Sequence, residues 1–123
     1  MLNRSAFGDC VREALRSLPY PQQFATNPLL ESYLVTSQDG APPVQTLRRV
    51  LTEAIRELAE DSRNGRFGRA VAQAYLRGDL TQDRAAAKLC VSLSSYKRHL
   101  ATGIERICDQ LWQRELSGRL AVS

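Results

Sequence analysis

Apolar residues recur at spacings of three and four along most of the chain, which is the pattern of amphipathic helices. The first stripe covers residues 5–18 and ends before Pro19 and Pro21, because proline cannot continue the hydrogen-bond ladder of a helix. Asn27 and Pro28 then predict a second helix, with a capping side chain followed by proline in the first turn.

The same pattern continues through the middle of the chain. We expect a mobile loop over about residues 36–44, followed by an amphipathic helix of about four turns with its apolar stripe over 47–58. Asn64 and Gly65 interrupt this helix, and a shorter helix then closes at Gly78. No stretch alternates apolar and polar residues between turns, so strands are not expected. The prediction is an all-α fold of six or seven helices.

The next segment is predicted to contain two helices joined by a short link. Thr81 can cap a helix that ends near Leu89, and Ser92 can cap a second helix, which leaves two residues between them. Small residues at Ala85 and Ala86 allow the two helices to cross closely. A helix, a tight turn and a second helix form a helix-turn-helix. We therefore expect an amino-terminal helical bundle followed by a carboxyl-terminal helix-turn-helix whose second helix is extended.

One sequence pattern within this segment is distinctive. It reads Ala86-x-x-Leu89-x-Val91-Ser92-x-x-Ser95-Tyr96-Lys97-x-His99-Leu100. The pattern resembles the helix-turn-helix of bacterial sigma-factor region 4 and of LuxR-type regulators, over about residues 81–107. The chain differs from those families at Cys90, where glycine is common, and at Ser95 and Tyr96, where Thr-Val is common. The resemblance implies a DNA-binding domain of a bacterial transcriptional regulator.

The second helix of this motif has two distinct faces. Its apolar stripe contains Tyr96, Leu100, Ile104 and Ile107, and the opposite face is small and polar apart from Arg98. Such a face can enter the major groove of DNA, with Arg98 on a guanine edge. The predicted base-contacting residues are Ser94, Ser95, Arg98 and Thr102. The predicted phosphate-contacting residues are Gln82, Arg84, Lys88, Lys97, His99 and Arg106. The alternative for all of them is an ordinary solvated helix surface.

Charge is distributed unevenly along the 123 residues, which carry a net charge of +4. Residues 1–62 have a net charge of −2 and residues 63–123 a net charge of +6. A one-sided basic excess attracts a polyanion such as nucleic acid, although a solvated arginine-rich surface explains it equally well. We treat 1–62 as a helical packing or interaction region and 63–123 as the helix-turn-helix region, within one compact unit.

Several classes of protein and site are not expected. No apolar run exceeds three residues, which is too short for a membrane span or a signal peptide, so a cytoplasmic protein without a membrane partner is predicted. Cys10, Cys90 and Cys108 are too widely spaced for a zinc site, and the single His99 cannot build one. No phosphate-binding loop or nucleophile with its base is present, so neither an enzyme nor a cofactor is expected.

The apolar stripe of the last helix reaches beyond the motif, which leaves two questions open. Either the amino-terminal helices pack on this stripe or two copies of the chain pair along it. A homodimer would use Leu100, Ile104, Ile107 and Leu111. The predicted function is sequence-specific binding of double-stranded DNA. The alternative is a protein-interaction module that docks on RNA polymerase, a sigma factor or a larger NTPase.

Overall fold

The computed structural model describes residues 2–37, 40–77 and 81–122, apart from the side chains of Pro21 and Val122. Within these ranges the chain contains no strand, and the predicted all-α fold is confirmed. The six α-helices are α1 (Arg4–Arg16), α2 (Tyr33–Thr36), α3 (Pro43–Glu60), α4 (Gly65–Val71), α5 (Gln82–Lys88) and α6 (Leu93–Val122). The described residues also form two 3₁₀ segments, Pro21–Thr26 and Pro28–Glu31, and a π-helical segment, Ala72–Leu76.

The chain after Asn27 departs from the prediction of a single helix. The Asn27 side chain does act as a cap, since it accepts a hydrogen bond of 2.9 Å from the Leu29 N–H. The segment that follows is a 3₁₀ turn, and Ser32 then adopts an extended backbone with ψ 162. The Ser32 hydroxyl donates to the Leu29 carbonyl at 2.6 Å, which stabilises this break. As a result α2 is a single turn of four residues.

The two helices after the central loop follow the predicted order. Helix α3 has 18 residues and begins with Pro43, inside the predicted loop. Residues 38 and 39 of that loop and the predicted helix end at Gly78 lie outside the described residues. Helix α4 continues directly into the π segment, where the Arg77 N–H donates to the Ala72 carbonyl at 3.1 Å. This wider turn replaces the last turn of the predicted helix.

The chain divides into two compact units. The first unit contains Met1–Leu51 and Cys108–Ser123, and the second contains Thr52–Ile107. These boundaries differ from a division at residue 62, because α3 and α6 each run from one unit into the other. Residues 81–107, which carry the predicted helix-turn-helix pattern, lie within the second unit.

Large side chains fill the core of the first unit. Phe7, Leu15 and Leu111 are completely buried, and the Phe7 ring lies 5.2 Å from the ring of Trp112. Glu115 is also buried, at 2% exposed, and its carboxylate accepts from the Leu34 N–H at 3.2 Å. Burial of this charge is supported by Arg119, whose Nε lies 3.2 Å from the second carboxylate oxygen.

Small residues bring the helices of the second unit together. Its core cluster consists of Ala70, Ala85, Ala86 and Tyr96, with Leu89, Val91 and Leu100 packed against it. A Cβ added to Gly103 would lie 2.5 Å from the Phe67 carbonyl oxygen and 2.6 Å from Val71 Cγ2. Helices α4 and α6 therefore approach each other closely at Gly103.

Candidate nucleic-acid interface

The turn between α5 and α6 has the hydrogen bonds of a Schellman motif. The Val91 N–H donates to the Ala86 carbonyl at 3.0 Å, and the Cys90 N–H donates to the Ala87 carbonyl at 3.1 Å. Cys90 has a φ of 59°, in the left-handed region that favours glycine. The turn thus has a left-handed residue at Cys90, a conformation that a residue with a Cβ adopts at a cost of about 1 kcal/mol.

The predicted caps of both helices are confirmed. Thr81 Oγ1 accepts from the Arg84 N–H at 3.3 Å, at the start of α5. Ser92 Oγ accepts from the Ser95 N–H at 3.1 Å, which satisfies a backbone donor in the first turn of α6. The first residue of each helix is therefore set by a side chain close to it in sequence.

Packing inside the second unit determines which face of α6 is exposed. The buried side includes Tyr96, Ile107 and Gly103, and glycine carries no apolar signal in the sequence. The exposed face of α6 is consequently rotated about the helix axis relative to the predicted face, so that Ala101 lies closer to its centre. Its residues in the first half of the helix are Ser94, Lys97, Arg98, Ala101, Glu105 and Arg106.

The four predicted base-contacting residues differ in their exposure. Ser94 and Arg98 are exposed, whereas Ser95 and Thr102 are half-buried. The Ser95 hydroxyl accepts from Ser92 Oγ at 3.0 Å and from Arg98 Nη2 at 3.3 Å. Ser95 therefore connects the cap of α6 to the Arg98 guanidinium.

A cationic cluster surrounds the ring of Phe67 in α4. The guanidinium carbons of Arg66 and Arg106 lie 4.2 Å and 5.1 Å from the centre of this ring. The His99 ring meets Phe67 edge-on at 5.6 Å. Arg66 was not among the predicted site residues, although it lies in a run of arginines spaced by three, at 63, 66 and 69, around the only aromatic residue of α4.

Electrostatics distinguish His99 from its basic neighbours. Burial lowers the pKa of His99, and the nearby cations of Arg66 and Arg98 lower it further. The His99 imidazole therefore loses its proton more readily than an ordinary histidine does. Backbone N–H groups of Asn64 and Arg63 hold the pKa of Asp61 below its usual range, with a smaller effect from the Arg106 cation.

The other predicted phosphate contacts lie on α5 and at the start of α6. Gln82, Arg84 and Lys88 are exposed, and so is Lys97. Residues 63–107 contain nine basic and three acidic residues, a net charge of +6. The basic excess of the carboxyl-terminal half therefore lies within residues 63–107, whereas the second unit as a whole, residues 52–107, has a net charge of +3.

The residues of the predicted homodimer seam have different environments. Ile107 and Leu111 are completely buried within the chain, whereas Leu100 and Ile104 are half-buried. In this fold the accessible part of that stripe is therefore confined to Leu100 and Ile104.

Two further properties concern only the part of the chain that the structure describes. No helix there combines the length and the apolar character needed to cross a membrane. No group of three His, Cys, Asp or Glu side chains there could hold a metal ion. Comparison of the chain with protein-family models, with curated proteins and with solved structures finds no match.

Proposed function

We propose that this chain binds double-stranded DNA in a sequence-specific manner, as a bacterial transcriptional regulator, with the start of α6 in the major groove. The observation that carries the proposal is the geometry of the turn. A left-handed residue at Cys90 and a cap at Ser92 hold α6 so that Lys97 and Arg98 are exposed. An exposed helix of this polarity fits a major groove, which is wide enough to admit it.

Arg98 is the base-reading residue in this proposal. Its guanidinium can donate two hydrogen bonds to the edge of a guanine, which is the commonest specific contact of arginine with DNA. The hydrogen bond from Arg98 to Ser95 orients the guanidinium before DNA arrives. Ser94 is exposed beside it and contacts the neighbouring base, whereas the half-buried Thr102 lies at the rim of the contact.

Phosphate contacts come from the surrounding cations and donors. Lys97 lies beside Arg98 on the exposed face, and neither forms an ion pair with any residue that the structure describes. Arg66 and Arg106 extend the positive surface around Phe67. Such contacts position the protein on the duplex and make the affinity dependent on salt.

The test is a salt titration of binding to a duplex pool, with the double variant Lys97→Ala, Arg98→Ala. We expect log affinity to fall linearly with log salt, and the double variant to bind at least tenfold more weakly with a slope shallower by about one or two. A matched control is the double variant Arg48→Ala, Arg114→Ala, which removes the same charge from exposed positions of the first unit. We expect the control to retain the slope within about half a unit.

Two outcomes would overturn the proposal. One is the absence of binding to any duplex at low salt. The other is equal loss of affinity in both double variants, because that result would reflect net charge alone. Failure of DNA binding combined with capture of RNA polymerase or a sigma factor would favour the protein-interaction alternative. Selection of bound duplexes from a random pool tests dimerisation as well, since a dimer reads a palindrome.

A further inference from the structure

A cavity of about 440 Å³ lies within the second unit, and none of the residues that line it is assigned to DNA. Three arginines line it: Arg56 from α3, Arg69 from α4 and Arg77 directly after the π segment. No aspartate or glutamate of the described chain lines the cavity. Among the described residues, the cavity therefore gathers three positive charges and no carboxylate in its wall.

One wall of the cavity contains a buried polar group that lacks a partner. Gln73, in the π segment, is 6% exposed, and its Nε2 donates no hydrogen bond within the described part of the chain. Burying an amide without a hydrogen bond is costly, so native proteins seldom retain one without a reason. Single π-helical turns also occur frequently at functional sites.

We propose that this cavity binds a small organic anion that carries a phosphoryl or carboxylate group beside an apolar body. Arginine donates paired hydrogen bonds to oxyanions, and three arginines line this cavity. Gln73 Nε2 is enclosed by protein atoms, and rotation of this side chain towards the cavity that it lines would let Nε2 donate to a further ligand oxygen. Leu76 and Leu89 cover the apolar part. The volume falls within the range of about 300–1,000 Å³ that is typical of ligand pockets.

The site is separate from the proposed DNA interface. None of its lining residues belongs to the predicted base or phosphate contacts, so its occupancy is measured without DNA. The experiment is a calorimetric titration of the full chain at constant ionic strength with three probes: ADP, inorganic pyrophosphate and citrate. Pyrophosphate lacks the apolar body and citrate replaces phosphoryl with carboxylate groups, so their order of affinity identifies the preferred chemistry.

We expect saturable binding of at least one probe with a stoichiometry of one. Arg56→Gln, Arg69→Gln and Arg77→Gln should each weaken binding about tenfold, because each removes a charge-assisted contact. Arg48→Gln is the matched control, since it removes an exposed arginine of the same helix, α3, that does not line the cavity. The control should bind the probe with unchanged affinity.

Gln73→Leu separates a ligand contact from a structural role. The leucine fills a similar volume and removes the unpartnered amide, so the midpoint of thermal unfolding without ligand should stay the same or rise. Binding of the probe should nevertheless weaken several-fold. A purely structural Gln73 would give the opposite result, a lower midpoint with unchanged binding.

Three results would overturn this proposal. The first is a lack of saturation by all three probes up to about 10 mM. The second is an equal loss of affinity in Arg48→Gln and the cavity variants, which would indicate only general surface charge. The third is unsaturable probe binding together with a loss of duplex affinity in the cavity variants as large as that of Lys97→Ala, Arg98→Ala. That pattern would make the cavity part of the DNA contact.

Discussion

The two units of the chain use their charged side chains in different ways. In the first unit, Arg4 pairs with Asp109 at 2.5 Å, and the Arg119 guanidinium donates to the Leu2 carbonyl at 2.9 Å. These bonds join residues more than 100 positions apart in sequence, with separations of 105 and 117. Arg119 also lies 5.0 Å from the Trp112 ring centre. Charges in this unit thus connect the two ends of the chain.

In the second unit, close contacts between small residues bring the helices together and the cations stay outside. The core cluster contains Ala70, Ala85 and Ala86, and α6 passes α4 at Gly103. Arg98 lies next to the Ser95 hydroxyl, and Arg66 and Arg106 lie next to the Phe67 ring. The contrast teaches that net charge alone is a poor guide to a binding surface. What distinguishes the second unit is that Lys97 and Arg98, at the front of α6, are exposed and form no ion pair with any residue that the structure describes.

The largest loss of stability is expected from substitution of Glu115, because it removes the buried carboxylate that accepts hydrogen bonds within the first unit. Glu115→Ala leaves the Leu34 N–H without its acceptor and the Arg119 side chain, 17% exposed, without its carboxylate. Removing one partner of a buried pair destabilises a protein by about 3–5 kcal/mol. Urea unfolding monitored by circular dichroism measures this loss.

The exposed Glu13→Ala is the control for that measurement, and it should change stability by less than about 0.5 kcal/mol. Equal stabilities for the Glu115 and Glu13 variants would show that the buried carboxylate is not needed in the first unit. Buried charge interactions would then no longer distinguish the first unit from the second.

The second prediction tests the close contacts of the second unit at Gly68. A Cβ at this position would overlap the backbone of Leu58 and Ala59, which cannot move as a side-chain tip can. Gly68→Ala should therefore destabilise the chain by about 2–3 kcal/mol, as overpacking does. The measurement is again the urea midpoint, with the slope checked for a change in the cooperativity of unfolding.

Gly8→Ala in α1 is the matched control from the first unit. A Cβ there would meet the guanidinium ends of Arg4 and Arg12, which are flexible. Because alanine favours a helix over glycine, this variant should be as stable as the natural chain or up to about 1 kcal/mol more stable. If Gly8→Ala destabilised the chain as much as Gly68→Ala does, it would not matter whether the added Cβ meets a flexible side chain or the backbone.

Features that depend on neighbours in sequence could be predicted, and those that depend on distant contacts could not. The caps at Thr81 and Ser92 and the tight turn are local, so the residue pattern of the helix-turn-helix was sufficient to locate them. The 3₁₀ turn after Asn27 was missed, although its start signal was correct. The reason is that the break at Ser32 comes from a hydrogen bond between its side chain and the carbonyl three residues earlier. The positions of proline and of apolar residues do not predict such a bond.

The candidate site shows the same limit. The sequence identified Arg98 and Lys97, and both are exposed at the front of α6. It did not identify Arg66, because the approach of α4 to α6 depends on the absence of a side chain at Gly103. The cavity around Gln73 likewise requires α3, α4 and the end of α5 to be assembled, and no periodicity in one helix predicts it.

The smallest predicted effect concerns Cys90, where the turn of the second unit holds an exposed side chain in the left-handed region. Cys90→Gly relieves the steric cost of that conformation but gives the unfolded chain more freedom, so a net gain of about 0.5–1 kcal/mol is expected. Cys90→Ala keeps a Cβ at the same φ and should gain nothing, which makes it the control. A loss of stability in Cys90→Gly would mean that the cysteine side chain itself stabilises the turn. A gain with unchanged duplex affinity would mean that the turn keeps the orientation of α6 through the Ala86, Ala87 and Ser92 hydrogen bonds alone.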